Sequence, residues 1–453
     1  MTSRLPTGAS VAPPPRGGTE AATPATTAPD PIAFSAPGPS PSEVALALLV
    51  ATIVLVPIAV GTVVWSAPGG DADFNRRVTF QVFDLALVLT GCVRIAALLP
   101  RVTGTPLRNL ATAGRRAIAS ALSLSITVFA VLGVIALAVH PSPRGAELAA
   151  RIGLGALVAQ ALIVAPAEWL TRVQAAIAIT ASADAVLAIA QSAHGAPLGL
   201  RWLEFEGGLY PFGTSYAGRG GLTHPYHLAV LLEIGIVAAL FALRHSRRRL
   251  PWFVAIATCG AGLGVTYSRA AAIGVAAAII ALLLPRRDRR GDPPRRVYLV
   301  AVCALLAGAA ATGLTMGNGW YSRASSSTAL SSADSGRLDR AREAVDLIRD
   351  HPVTGVGPGQ YAIALAALGH DAPLPSHNIV LHAAAEAGVL AGAVVALIAL
   401  LLARRYLWAS REAAAAFVLL LPYFAFDAFP YIFPVGLFLS ALWFGLLERE
   451  ARR

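Results

Sequence analysis

The sequence predicts an all-α polytopic membrane protein with about twelve transmembrane helices and a large outer loop between the ninth and tenth spans that contains an amphipathic helix. Three observations predict it. Hydrophobic residues make up 56% of the 453-residue chain and charged residues only 13%, about half the share in an average soluble protein. Apolar runs of the roughly 17 to 25 residues needed to cross a hydrocarbon core recur down the chain. The runs are continuous, whereas strands of a transmembrane barrel alternate apolar and polar residues.

Taken in order, residues 1–42 are rich in Pro, Ala, Thr, Ser and Gly and hold almost no large apolar side chains. Such a composition does not repay the entropy of ordering and predicts a disordered cytoplasmic tail. No charged start leads directly into a short apolar core, so the tail does not read as a cleavable signal. Spans follow at 44–65, 78–99, 117–139, 152–169, 174–192 and 226–243, then at 252–267, 270–284, 297–315, 379–402, 413–428 and 431–447. The second carries Asp84 and Arg94 and has the weakest support of the twelve. Two outer segments, 193–225 and 316–378, are long enough to do chemistry, and 448–453 forms a cytoplasmic end.

All 36 basic residues are arginine and the formal net charge is +11, a charge that does not titrate away near neutral pH. The arginines cluster in loops, as topology signals do, and no nucleic-acid partner is expected. Placing the amino terminus inside puts Arg247 to Arg249, Arg286, Arg287, Arg289, Arg290, Arg295, Arg296, Arg404 and Arg405 on the cytoplasmic side and leaves the short outer loops poor in arginine. The positive-inside rule then predicts a multi-pass plasma (inner) membrane protein with both termini cytoplasmic. One continuous helix from Trp252 to Leu284 would be about 50 Å long, against a core of about 30 Å. Arginine clusters at both its ends call for a hairpin whose tip falls at Ser268-Arg269. The alternative is one tilted helix with Arg269 snorkelling, at about 2.5 to 3.5 kcal/mol on insertion scales.

In the longer outer segment, Leu338, Ala341, Val345 and Ile348 recur at helical spacing between Ser335 and Asp350. An amphipathic surface helix is predicted, with Arg342 and Asp346 paired at i, i+4 on its solvated face. It ends at His351-Pro352 and runs into Gly355-Val-Gly357-Pro-Gly359-Gln-Tyr361, a loop whose glycines could approach a phosphate or simply stop the helix. Ser376-His377-Asn378 lies where the outer segment meets the next span, and its imidazole can accept a proton near neutral pH. Arg219-Gly-Gly-Leu-Thr-His224-Pro225-Tyr-His227 precedes the sixth span. A zinc site from these histidines lacks any supporting ligand spacing. Asp84, Asp184, Glu233 and Glu386 lie within spans and Asp427 near the end of one; each is a functional candidate or a hydrogen-bonded packing group. Cys92, Cys259 and Cys303 imply no disulfide framework.

Four elements in this order resemble the O-antigen ligase and O-antigen polymerase superfamily of membrane glycan transferases. They are Arg219 to Tyr226 before a span; Thr266-Tyr-Ser268-Arg269 at a hairpin tip; Ser335-Gly-Arg337 opening a helix that ends in His351-Pro-Val-Thr-Gly355-Val-Gly-Pro-Gly359; and Ser376-His377-Asn378 with Glu386-Ala-Gly388 downstream. The resemblance covers roughly 219–447. The family often shows Asn after the His-Pro pair and Gly after Ser-Arg, where this chain has Tyr226 and Ala270. The resemblance makes 43–447 an O-antigen ligase-like membrane domain. It implies transfer of a glycan from an undecaprenyl pyrophosphate carrier to a glycan or lipid acceptor at the outer face, without nucleotide sugar, metal or other cofactor.

The residues suit that chemistry. Guanidinium groups bind a departing pyrophosphate bidentately and stabilise its growing charge, which makes Arg269, Arg219 and Arg337 the catalytic candidates. His377 is the candidate base for the incoming hydroxyl. His224, His351, Gly355, Gly357, Gly359 and Glu386 are candidates for substrate contacts, and a single displacement would invert the anomeric carbon. Two rivals remain: a secondary transporter or flippase, which commonly has twelve spans, and a metal-dependent lipid-linked sugar transferase using Asp71 and Asp73. Polymerase is favoured over ligase because no dedicated acceptor-binding domain is evident.

Overall fold

The computed structural model describes residues 40–58, 61–66, 77–103, 121–200, 203–204, 209–212, 214–285, 293–316, 318–325, 327–370, 374–427 and 433–452. The chain is mostly helical, at 78%. Among the described residues the helices are α1 (Pro41–Leu55), α2 (Val82–Thr103), α3 (Ala121–Val139), α4 (Pro143–Val164), α5 (Ala167–His194), α6 (Pro225–His245), α7 (Leu250–Thr266) and α8 (Arg269–Leu283). They continue as α9 (Arg295–Thr315), α10 (Asn318–Ser325), α11 (Ser327–Asp350), α12 (Tyr361–Ala367), α13 (Ile379–Ala387), α14 (Val389–Leu407), α15 (Arg411–Ala425) and α16 (Pro434–Ala451). Four short strands pair as two antiparallel hairpins, β1 (Gly61–Ser66) with β2 (Arg77–Gln81) and β3 (Tyr210–Phe212) with β4 (Ser215–Ala217). Of the predicted tail 1–42, all but its last three residues lie outside the described set, and those three lead into α1 with Ser40 as its cap. Asp71 and Asp73 also lie outside it.

Among the described residues, five helices are long and apolar enough to cross a membrane: α4, α5, α6, α9 and α14. With several shorter apolar helices beside them, they make this a multi-pass membrane protein. The centre of the bundle is α6, whose apolar window is 94% buried. A helix that is hydrophobic on every side belongs inside. By contrast α14 buries only 22% of its window, and its Leu397 and Leu400 face outward.

Three expectations are corrected. The first predicted span, 44–65, stops as helix at Leu55, and Gly61 to Ser66 instead form β1, with Gly61 opposite Gln81. The sequence holds the reason, since Pro57 has no N–H to continue the helical hydrogen bonds and Thr62, Val63 and Val64 are β-branched. The tenth predicted span is two helices, α13 and α14, broken at Gly388 with φ +89°. A Cβ at Gly388 would run into the Val353 carbonyl, because the outer segment docks into the break and Val389 N–H donates to Pro352 O at 3.0 Å. The amphipathic helix is longer than predicted and buries Ala344 and Leu347, while Leu338 is 53% exposed. Its ion pairs run at i, i+3: Arg342 with Asp339 at 3.0 Å and Arg349 with Asp346 at 3.2 Å.

The charges of the second predicted span are accounted for. Arg151 of α4 donates to both oxygens of Asp84, at 2.6 and 3.1 Å, and Arg94 donates to Gln160 Oε1 at 3.4 Å. The stretch from Trp252 to Leu284 breaks where the arginine clusters require. Tyr267 takes φ +50° and Ser268 caps α8, accepting from Ala271 N–H at 3.3 Å. The two helices then part to separate partners, α7 packing along α9 and α8 along α15.

Candidate active site

Arg269 is the first residue of α8, so its place is set by the turn before it. The Tyr267 hydroxyl donates to Met316 O at 3.0 Å, and Trp320 Nε1 donates to Gly264 O at 2.8 Å. The two rings meet edge to face at 5.8 Å. The chain leaving α9 thus pins the α7–α8 turn from one side.

His224 caps α6 from the facing side. Its Nδ1 accepts the Tyr226 N–H at 3.0 Å, which leaves Nε2 to carry the hydrogen of a neutral ring. The Tyr210 ring of β3 lies edge-on to it at 4.5 Å. Between these groups is a cavity of about 290 Å³ lined by Tyr210, His224, Tyr226, Ser268, Arg269 and Arg337 among others. Arg269 is half-buried and Arg337 exposed, so two positive charges meet a polar and aromatic wall. A second, apolar cavity of about 440 Å³ lies where α7 and α8 part, lined by Val275, Ile279, Leu305 and Leu306. Ser268 lines both cavities.

Arg219 is buried beside this site rather than in its lining, with Tyr210 and Glu204 close enough to act on its charge. Burial pushes its guanidinium below the usual arginine value while those two neighbours pull the other way. Its loop is built on two side chains of α5. Gln191 Oε1 accepts from Arg219 and Gly220 N–H at 3.1 and 2.9 Å, and Asp184 Oδ1 accepts from Gly221 N–H at 2.7 Å. Glu204 takes the Gln191 amide at 2.7 Å and the Leu198 and Leu200 N–H groups at 2.8 Å. Burial would raise its carboxyl, but these donors outweigh it and hold the group below the usual carboxylate range.

His377 does not line the cavity. It sits at φ +54°, with Nδ1 at 3.7 Å from Asp427 Oδ2. Asp427 also interacts with Tyr226, whose ring lines the cavity and packs on Tyr423 at 4.7 Å. The imidazole is therefore linked to the cavity wall through Asp427 and Tyr226.

The remaining candidates gather elsewhere. His351 is exposed at the end of α11. The glycine loop lies on α13: Val356 N–H donates to Ala385 O and Gly357 N–H to Glu386 O, both at 2.9 Å. Tyr361 N–H donates to Glu386 Oε1 at 3.3 Å, and His382 Nε2 stands 3.4 Å from the same oxygen. Gly359 and Glu386 line a narrow cavity of about 30 Å³ with Arg144, Arg151 and His382. None of His351, Gly355, Gly357, Gly359 and Glu386 lines the arginine cavity. Among the described residues no group of three or more His, Cys, Asp and Glu side chains comes together as metal ligands would.

Sequence reasoning missed Tyr210, Tyr226 and Gln191. Tyr210 had a signal, an aromatic Tyr-Pro-Phe before Gly213-Thr214 that reads as a short hairpin. Gln191 had none, since a polar side chain near a helix end is unremarked until its partners are known.

Residues 252–396 match the family model described as O-Antigen ligase. The match runs from α7 into α14 and carries Arg269, Arg337 and His377, while Arg219 and His224 precede it. Comparison with curated proteins and with solved structures gives no match. The matched segment contains the α7–α8 turn, the long outer helix and the His377 segment, and it supports the resemblance to the O-antigen ligase and polymerase superfamily.

Proposed function

We propose that the protein transfers glycan units from an undecaprenyl pyrophosphate carrier to an acceptor hydroxyl at the outer face of the plasma membrane, growing a glycan chain as a polymerase. The family match supports glycan transfer of the ligase or polymerase type. The observation that carries the reading further is Ser268, shared between a cavity with two arginines and an apolar cavity between parting helices. A donor with a pyrophosphate head and an isoprenoid tail fits that junction. The arginine distribution supports a topology with both termini in the cytoplasm and this end of the bundle outside.

In the reaction, the acceptor oxygen forms a bond to the anomeric carbon as the bond from that carbon to the phosphate oxygen breaks. The pyrophosphate leaves with the electron pair, and Arg269 and Arg337 hold its charge. Arg219, buried behind Tyr210, adds a fixed positive charge. The acceptor proton passes to His377, and one displacement inverts the anomeric carbon.

The test is purified protein with a lipid-pyrophosphate glycan, alone and with a candidate acceptor. Growth on the carrier itself is expected, and transfer only to an added acceptor would make the protein a ligase. Arg269→Ala should slow transfer by about 10² to 10³, the usual loss for one donor to a developing anion. A wild-type rate in that variant would remove the arginine cavity from the reaction.

A further inference from the structure

We propose that the groove between α5 and α7 holds an anionic phospholipid of the leaflet on the arginine-rich side, its acyl chains against the two helices and its phosphate on Arg172 and Arg249. The site lies at the end of α7 opposite Ser268, and the inference stands apart from the transfer reaction.

Between the two helices runs an apolar groove of about 750 Å³, with Ala175, Ile179 and Val186 of α5 on one wall and Leu250, Trp252 and Val254 of α7 on the other. Ile179, Val186, Leu250 and Val254 are each more than half exposed. Ser182 and Thr258 are the polar side chains of the lining, and Thr258 spends its hydroxyl on Val254 O at 2.9 Å. Among the described residues no carboxylate lines the groove. It runs from Leu250 to Thr258 on α7 and from Ala175 to Val186 on α5. At about 1.5 Å per residue those stretches are about 12 and 16 Å long, half of a hydrocarbon core of about 30 Å. An acyl chain of one leaflet matches both the length and the apolar walls.

Charge marks one end of the groove. Arg172 precedes Ala175 by three positions and Ile179 by seven, which puts it on the same face of α5. Arg247, Arg248 and Arg249 run straight into Leu250. Arg172 is exposed, with its guanidinium carbon 4.7 Å from the centre of the Trp169 ring. Arg249 is half-buried, and its Nε has no hydrogen-bond partner. No side chain caps α7, so the positive end of that helix adds to the arginines. Two carboxylates stand nearby: Glu43 of α1, which acts on Arg172, and Glu168, one turn before Arg172. Four guanidinium groups against two carboxylates leave this end positive. A basic mouth over an apolar cleft between spanning helices suits a phosphate headgroup, and Trp169 and Trp252 are indoles of the kind that favour the membrane interface. A zwitterionic headgroup would bring its own cation against the same arginines, so the anionic lipid is preferred.

The experiment uses the full chain in nanodiscs of mixed phosphatidylcholine and phosphatidylglycerol, with bromine on the acyl chains of one lipid or the other. Bromine quenches an indole only at contact, and subtracting the emission of Trp252→Phe isolates Trp252 from the other tryptophans. Phosphatidylglycerol should displace phosphatidylcholine at Trp252 with a preference of at least about fivefold, the effect of one arginine beside an anionic headgroup. Arg172→Gln combined with Arg249→Gln should bring that preference to within about twofold of unity. Equal quenching by the two brominated lipids in the wild type overturns the proposal, as does a preference that survives the double substitution. Should the double variant fail to accumulate, a salt titration of the wild type decides. The preference should fall between about 0.05 and 0.5 M salt, and an unmoved one is equally fatal. Ala175→Phe fills the groove beside Trp252 and keeps every arginine, so it should cut quenching by brominated phosphatidylglycerol at least about twofold. Unchanged quenching there puts the lipid outside the groove and sinks the inference. A Trp252 that neither lipid quenches, in a chain that runs as a dimer, gives the groove to a second copy instead.

Discussion

Asp184, Gln191 and Glu204 are buried polar side chains, and each is occupied by backbone N–H groups or by another of the three. They satisfy the donors of an irregular loop that would otherwise be left unpaired against the bundle, where an orphaned group costs about 1 to 3 kcal/mol. Glu204 has a consequence in pH. Its folded carboxyl is held below the ordinary value, which is about 4.3 for an unperturbed glutamate. Its contribution is therefore fully present above that value and is lost as pH falls through the lower folded value. The Leu198 and Leu200 amides should exchange slowly at neutral pH and faster in acid, and in Glu204→Gln the exchange should no longer change across the acid range. An acid-insensitive wild type would show that the carboxylate does not hold the loop. None of this was legible in the sequence, where Asp184 could equally have been a functional acid. Its partner is a backbone amide 37 positions away.

At the scale of elements, the decisive feature is that α7 and α8 part after their shared turn. Gly274 lets α8 lie against the Leu419 carbonyl of α15, and a side chain there would meet that backbone directly. Close approach through small residues is how helices associate in lipid, where the hydrophobic effect gives little help. Gly274→Leu should push α8 from α15, destabilise the protein by about 1 to 3 kcal/mol or more and reduce transfer, since α8 begins with Arg269. Gly313→Leu on α9, with nothing within 4 Å of the added Cβ, is the control and should melt and react as the wild type does. Equal melting of both variants would mean that the α8 contact is not tight. The turn at Ser268 was legible because length and arginine placement demanded a break. The break at Gly388 was not, since it depends on Val353 arriving from another part of the chain.

Among the described residues, networks of polar groups lie at both ends of the apolar bundle. At one end lie the arginine cavity and His377. At the other, Arg244 pairs with Glu450, Arg405 donates to Glu448 at 2.6 and 2.8 Å, and Arg449 donates to Ile163 O at 2.7 Å and Ala165 O at 2.9 Å. These contacts tie α4, α6, α14 and α16 together near the arginine-rich loops. If those loops face the cytosol, Arg248→Cys in a chain freed of its three native cysteines should react with an impermeant thiol reagent only after the cells are opened. Arg337→Cys should react in intact cells. Reversed labelling would put the cavity on the cytosolic side and end the proposed reaction.

The amino-acid sequence by itself determined the helical membrane class, most of the helical segments and the turn that presents Arg269. Those follow from local quantities: run length against the thickness of the hydrocarbon core, and backbone groups that must be satisfied within each segment. Only the tertiary structure decided that Arg269, Arg337 and His224 share a cavity while His377 lies outside its lining, linked to it through Asp427 and Tyr226. It also decided that the glycine loop lies on α13. Those outcomes depend on which helices part and which pack, and so on contacts between residues far apart in the chain.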